Sequence, residues 1–163
     1  MATQRKEQRK ALLAEAIARE PRILKAKKFL LLMCGIFLAV RLLFVVVETA
    51  FVLDLGESLA VCALNYAMLL VGVLFAFGIY AGGKPIAFLA MFGGFFSVVK
   101  AIGDGALQAF SSGNNFAQLY VMTLFVAMGI QVLTMVVIVL NANCKVYFEE
   151  IKKINIAMQL KGK

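Results

Sequence analysis

The sequence predicts an all-α integral membrane protein: a four-transmembrane-helix up-down bundle with amphipathic N- and C-terminal helices on the cytoplasmic side. Three observations carry that reading. Of 163 residues, 63% are apolar and only 16% charged, with a mean hydropathy of +0.90, outside the range of a soluble domain of this length. The polar residues gather at the two ends of the chain and leave the middle almost bare. Four apolar runs, at 29–53, 59–80, 86–110 and 117–140, each approach the ~20 residues that cross a ~30 Å hydrocarbon layer as helix.

Taken in order, residues 1–28 read as a basic helix with Leu12, Leu13 and Ile17 on one side, broken or kinked at Pro21. Such a segment either anchors on anionic lipid or docks a partner, or serves simply as a solvated topology signal; three aliphatic side chains make a thin apolar face. The first run then follows, too long for the apolar core of a cleaved signal peptide, and is expected to stay as a span. Short connections rich in turn residues separate the runs: Asp54 to Ser58, Ala81 to Pro85 and Ser111 to Asn115. Glycine suits the left-handed exit of a helix, Ser58 and Asn115 read as N-caps, and Pro85 suits a first helical turn. Links this short make neighbouring helices antiparallel. Residues 141–163 carry Tyr147, Ile151, Ile154 and Met158 at helical spacing among charged residues. That tail is expected to continue the fourth helix, with its stripe covered by headgroups, the N-terminal helix or another subunit.

Charge sets the expected orientation. Residues 1–28 hold nine basic and three acidic side chains, residues 145–163 five and two, and the middle loop contributes Lys84. The two other loops hold Asp54 and Glu57 and no base. By the positive-inside rule both termini and the middle loop face the cytoplasm, in a multi-pass protein of the cell membrane. The basic balance is thereby accounted for, and no nucleic-acid partner is expected.

An internal similarity divides the membrane region into two tandem helical hairpins. Sliding the chain by 59 residues lays Phe29–Phe51 over Phe88–Phe110, and seven of 23 positions are identical. Biased apolar composition gives roughly two or three by chance. The same shift places Arg41 on Lys100 and Lys25 on Lys84. At 1.5 Å per residue, Arg41 and Lys100 then lie about 18 Å into their spans, just past the midplane. A central Arg or Lys costs about 2.5–3.5 kcal/mol on insertion. The first span absorbs this easily, whereas the third, diluted by Gly93, Gly94, Gly103, Gly105 and Asp104, needs its neighbours.

Helical spacing gathers the candidate site. Gly93, Ser97, Lys100, Asp104 and Gln108 form one stripe on the third helix, which is expected to face inward. Glu48 lies two turns beyond Arg41 on the same face of the first helix. Thr123, Ala127, Gln131 and Thr134 line the fourth, and the second offers Asn65 and the small pair Gly72 and Ala76. Convergence of these faces would place Arg41, Lys100, Gln131, Asn65 and Ser97 about one axis, with Glu48 and Asp104 near its outer mouth. Two readings follow. The charges either pair to fix helix register, or form a polar pathway that binds an anionic group or relays charge.

Histidine is absent, which removes the usual neutral-pH base and commonest metal ligand. The three cysteines, Cys34, Cys62 and Cys144, lack metal or redox spacing and fall at depths unsuited to pairing. No enzymatic activity, metal or cofactor is therefore expected. The favoured function is transport or channel-type, with the lipid bilayer and further copies of the chain as partners. The alternative is an accessory or assembly subunit that docks on other membrane subunits through its basic cytoplasmic helices.

Overall fold

The computed structural model describes residues 2–54, 59–103, 106–111 and 113–160. Side chains are described for most of these, but not for residues 2–5, 51–54, 59–62, 64, 65, 68, 97, 98, 100, 101, 106, 107, 109 and 116. All the regular structure among the described residues is helical. Helix α1 (Ala2–Arg19) stops before Pro21, whose ring fixes φ and removes a donor, and α2 (Arg22–Asp54) starts directly after it. The Glu20 carboxylate accepts the Arg22 N–H at the new helix start. Helix α2 therefore begins well before the apolar run does and carries its basic first turns into the same rod as the hydrophobic ones.

Helix α3 (Leu59–Tyr80) ends in a Schellman motif. The Gly83 N–H bonds the Gly78 carbonyl and the Gly82 N–H bonds the Ile79 carbonyl, each at 2.9 Å, with Gly82 at φ +100°. Helix α4 (Lys84–Gly103) starts at once, with Pro85 in its first turn. It is described to Gly103, and α5 (Ala106–Ser111) takes up the description again within the third apolar run. At the start of α6 (Asn115–Leu140) the cap is Asn114, not Asn115: its side-chain oxygen accepts the Ala117 N–H at 3.4 Å. Ser58 lies outside the described residues.

The C-terminal tail corrects one expectation. It does not continue α6, because Asn141 interrupts the helix and caps a new one, α7 (Ala142–Leu160). The Asn141 side-chain oxygen accepts the N–H groups of Asn143 and Cys144 at 2.9 and 3.1 Å. The redirected helix packs along α2 and α1. Cys144, Tyr147, Ile151 and Ile154 are all buried and Met158 partly so, so the apolar stripe is covered within the chain.

Helix α2 packs closely against α3 and α6, and α4 packs against α6, while α3 and α4 touch far less. The interior face of α2 is a single line of positions: Ile23, Ala26, Leu30, Cys34, Phe37 and Val45 are at most 5% exposed. Their steps of three, four and eight residues are those of one helix face. Both terminal helices meet the α3–α4 loop at one end of the molecule. Arg9 donates to the Ala81 carbonyl at 3.1 Å, Tyr147 donates to the Tyr80 carbonyl at 2.7 Å, and the Lys27 ammonium lies 5.7 Å from the Tyr80 ring centroid. Across this end, Glu150 accepts from Lys153 at 2.6 Å and from Arg19 at 3.2 Å. Those two cations, Lys153 first, hold the Glu150 carboxyl below its usual range.

Among the described residues, two helices, Arg22–Ala50 and Ala117–Leu140, are long and apolar enough to cross a membrane. Among the described residues, Leu69–Tyr80 and Lys84–Phe96 are shorter apolar helical stretches.

Candidate functional site

Arg41 continues the interior line of α2, four residues after Phe37 and four before Val45, and Glu48 is the next step of three along it. A face that otherwise buries aliphatic and aromatic side chains thus carries two opposite charges, each only partly exposed. They attract one another along the helix.

Three helices shape the surroundings of Arg41. On α3, Gly72 is buried, and a Cβ at that position would stand 2.7 Å from the Arg41 Cδ and 3.0 Å from its Nε. The missing side chain leaves room for the arginine stem to cross α3, and a methyl there would have to push that stem aside. One turn further along α3, Ala76 is also buried, and its carbonyl accepts a weak bond from the Cys34 thiol at 3.6 Å. The Gly72 and Ala76 step is therefore the contact line between α2 and α3. On α6, Gln131 is 6% exposed and offers its side-chain oxygen to the Arg41 Nη1 at 3.5 Å. Ala127 and Thr134 flank Gln131 on the same buried face, and the Thr134 hydroxyl satisfies itself on the Ile130 carbonyl at 2.7 Å.

Further along the α2–α6 interface, the rings of Phe44 and Tyr120 stack with centroids 6.4 Å apart. Tyr120 lies within electrostatic reach of Glu48. Next to Glu48, the buried Thr49 hydroxyl has no hydrogen-bond partner among the described residues. Sequence reasoning overlooked Phe44, Thr49 and Tyr120; their types are too common in apolar helices to signal anything without the partner helix.

The structure thus brings together Arg41 and Gln131 of the sequence-derived set, with Glu48 two turns along the same face of α2, and adds Gly72 as the cradle. Asp104 lies outside the described residues, as do the side chains of Asn65, Ser97 and Lys100. Of the stripe expected along the third apolar run, the two outer members, Gly93 and Gln108, are exposed. Helix α4 packs instead through Ala87, Ala90 and Gly94, where a Cβ on Gly94 would meet Val132 of α6 at 3.1 Å. The matching position in the first hairpin, Gly35, has open space around it, so the two hairpins do not pack alike at this point.

Cys34 and Cys144 are free and buried. Burial, with the neighbouring Cys34 second, pushes the Cys144 thiol up to about 11. Among the described residues no group of three Cys, Asp or Glu side chains converges to hold a metal ion. Comparison with protein-family models, with curated proteins and with solved structures finds no match to this chain.

Proposed function

We propose that the chain is a four-span protein of the cell membrane, with both termini in the cytoplasm, acting in transport or as a channel through a polar site centred on Arg41. Length and apolarity alone do not separate a membrane span from the core helix of a soluble protein; burial does. Only 22% of the most apolar window of α2 and 33% of that of α6 is buried. Large apolar side chains point outward along every long apolar helix, as with Leu43, Leu74, Phe96 and Leu133, each more than 60% exposed. Gln131 and Thr134, by contrast, are packed inside. Water would oppose that arrangement and hydrocarbon favours it. The meeting of α1, α7 and the α3–α4 loop at one end supports the orientation, since these are the three segments the charge rule assigns to one side.

A single observation carries the functional reading. An arginine that continues the most buried face of α2 is received by a glycine notch on α3 and an amide on α6. A fixed cation with directed donors, half-buried between helices, is the chemistry that takes an anionic group from water. Flux of small anions from liposomes containing the purified protein tests this. Replacing Arg41 and Lys100 together with Met should abolish flux, and unchanged flux would discard the pathway.

A second reading, an accessory or assembly subunit, is favoured by the basic groups that internal packing leaves exposed, among them Lys10, Lys25, Lys28 and Lys145. Co-isolation with unrelated membrane chains under gentle solubilisation supports this reading, and isolation as a homo-oligomer supports the first.

A further inference from the structure

Between α7 and the turn that leads from α3 into α4, a cavity of about 620 Å³ opens. That volume falls among the ~300–1,000 Å³ of sites that hold small molecules. Three lysines from separate turns line it: Lys84 from the first residue of α4, and Lys145 and Lys152 from two turns of α7. Its floor is apolar, formed by Pro85, Phe148 and Ile151, the last two almost fully buried. Glu149 is the one acidic residue lining it. The cavity therefore carries an excess of two positive charges over a greasy base.

We infer that this cavity binds the phosphate of an anionic phospholipid headgroup, held by Lys84, Lys145 and Lys152. The site lies beyond the Arg41 pathway and needs only the four-span part of the proposal above. On that topology Lys84 marks the cytoplasmic edge of the hydrocarbon, the depth at which headgroup phosphates lie. The mixed lining matches a molecule with a charged head and an apolar body better than it matches a free ion. Lys84 itself joins the two characters, its ammonium standing 5.9 Å from the Phe88 ring centroid. Beyond Phe88 the helix shows Leu89, Phe92 and Phe96 to the outside, more than 60% exposed, as a surface along which acyl chains can lie. Basic pockets beside membrane helices on the cytoplasmic side recognise lipid headgroups by this combination.

The test uses the full chain in neutral detergent, with phosphatidylglycerol, phosphatidylcholine and inorganic phosphate as probes and bound lipid counted by native mass spectrometry. Phosphatidylglycerol should bind in preference to phosphatidylcholine, and inorganic phosphate should not displace it. At about fivefold per lysine, Lys84→Gln, Lys145→Gln and Lys152→Gln combined should weaken binding on the order of a hundredfold. Glu149→Gln should tighten it, a gain that no folding defect imitates. Lys6→Gln with Lys10→Gln, on exposed α1, should change it little. Equal loss in that control variant, equal binding of phosphatidylcholine, or full competition by inorganic phosphate would each overturn the site. Alkaline carbonate washing of membranes separates the two proposals. Protein retained in the membrane with lipid binding unaltered in the triple variant sinks the headgroup site alone, whereas protein released into the wash sinks the four-span reading and the site with it.

Discussion

The Tyr147 hydroxyl donates to the Tyr80 main-chain carbonyl at 2.7 Å, which fastens α7 to the last turn of α3. Tyr80 closes α3 next to its Schellman turn, where carbonyls lack helical partners, so a side chain from a distant helix completes that end. Tyr147→Phe removes the donor but keeps the ring against Phe148. Loss of the bond should cost about 1 kcal/mol, rising towards about 3 kcal/mol if the carbonyl is left dry. Thermal unfolding in detergent, compared with the parent chain, measures it.

Raising the pH should loosen the same junction. Burial pushes Tyr147 up to about 12, with Tyr80 adding to the rise and Arg9 opposing it, and pushes Cys144 up to about 11. Both groups are neutral when protonated, and each holds its proton more tightly folded than unfolded. Their contribution is therefore complete at neutral pH. It is lost as pH rises from roughly 8.5 for the thiol and roughly 10 for the phenol, through the folded values. Melting temperature followed across pH 8 to 12 checks this, and the upper part of the fall should flatten in Tyr147→Phe.

Gly82→Ala should be far more damaging than Gly113→Ala. Both glycines have positive φ, +100° and +76°, so each substitution carries a backbone cost of about 1–2 kcal/mol. At Gly82 the new methyl would also stand 2.5 Å from the Ile151 Cγ2, whereas at Gly113 it meets nothing within 4 Å. Overpacking adds about 1–3 kcal/mol at the first site only. Hydrogen exchange over α7 should rise in Gly82→Ala and stay at parental rates in Gly113→Ala; similar rates in both would refute the packing argument.

Filling the notch at Gly72 should act through Arg41. Gly72→Ala drives a methyl into the arginine stem and moves the guanidinium away from Gln131, at a cost of about 1–3 kcal/mol. In a double-mutant cycle with Gln131→Leu the two losses should fall short of additive, because the first change already breaks the bond that the second removes. Strict additivity in unfolding free energy would show that Gly72 and Gln131 do not share Arg41.

How far the sequence could be read depended on whether a feature was local. The break at Pro21, the left-handed exit at Gly82 and the end of α3 at Tyr80 follow from residue chemistry and hydropathy within a few positions. The start of α2 at Arg22 does not, because hydropathy marks where a helix turns greasy and not where it begins. The stop at Asn141 was overlooked because an asparagine beside an apolar run gives no sign of which N–H groups it will cap. Arg41, Glu48 and Gln131 could be singled out because polar groups are rare in such helices. Gly72 gained its meaning only from the neighbouring helix, as a notch shaped by what crosses it. The expectation that Gly93 faces inward failed for a related reason: spacing shows which residues share a face, but not where that face points.

Because the hydroxyl that finishes Tyr80 and the isoleucine that seats on Gly82 both belong to α7, the middle loop leaves the ribosome without its cover. Helices α4, α5 and α6 must be made before α7 exists. Maturation of that surface thus comes last, and shortening the nascent chain ahead of Tyr147 would leave the α3–α4 loop bare to quality-control proteases.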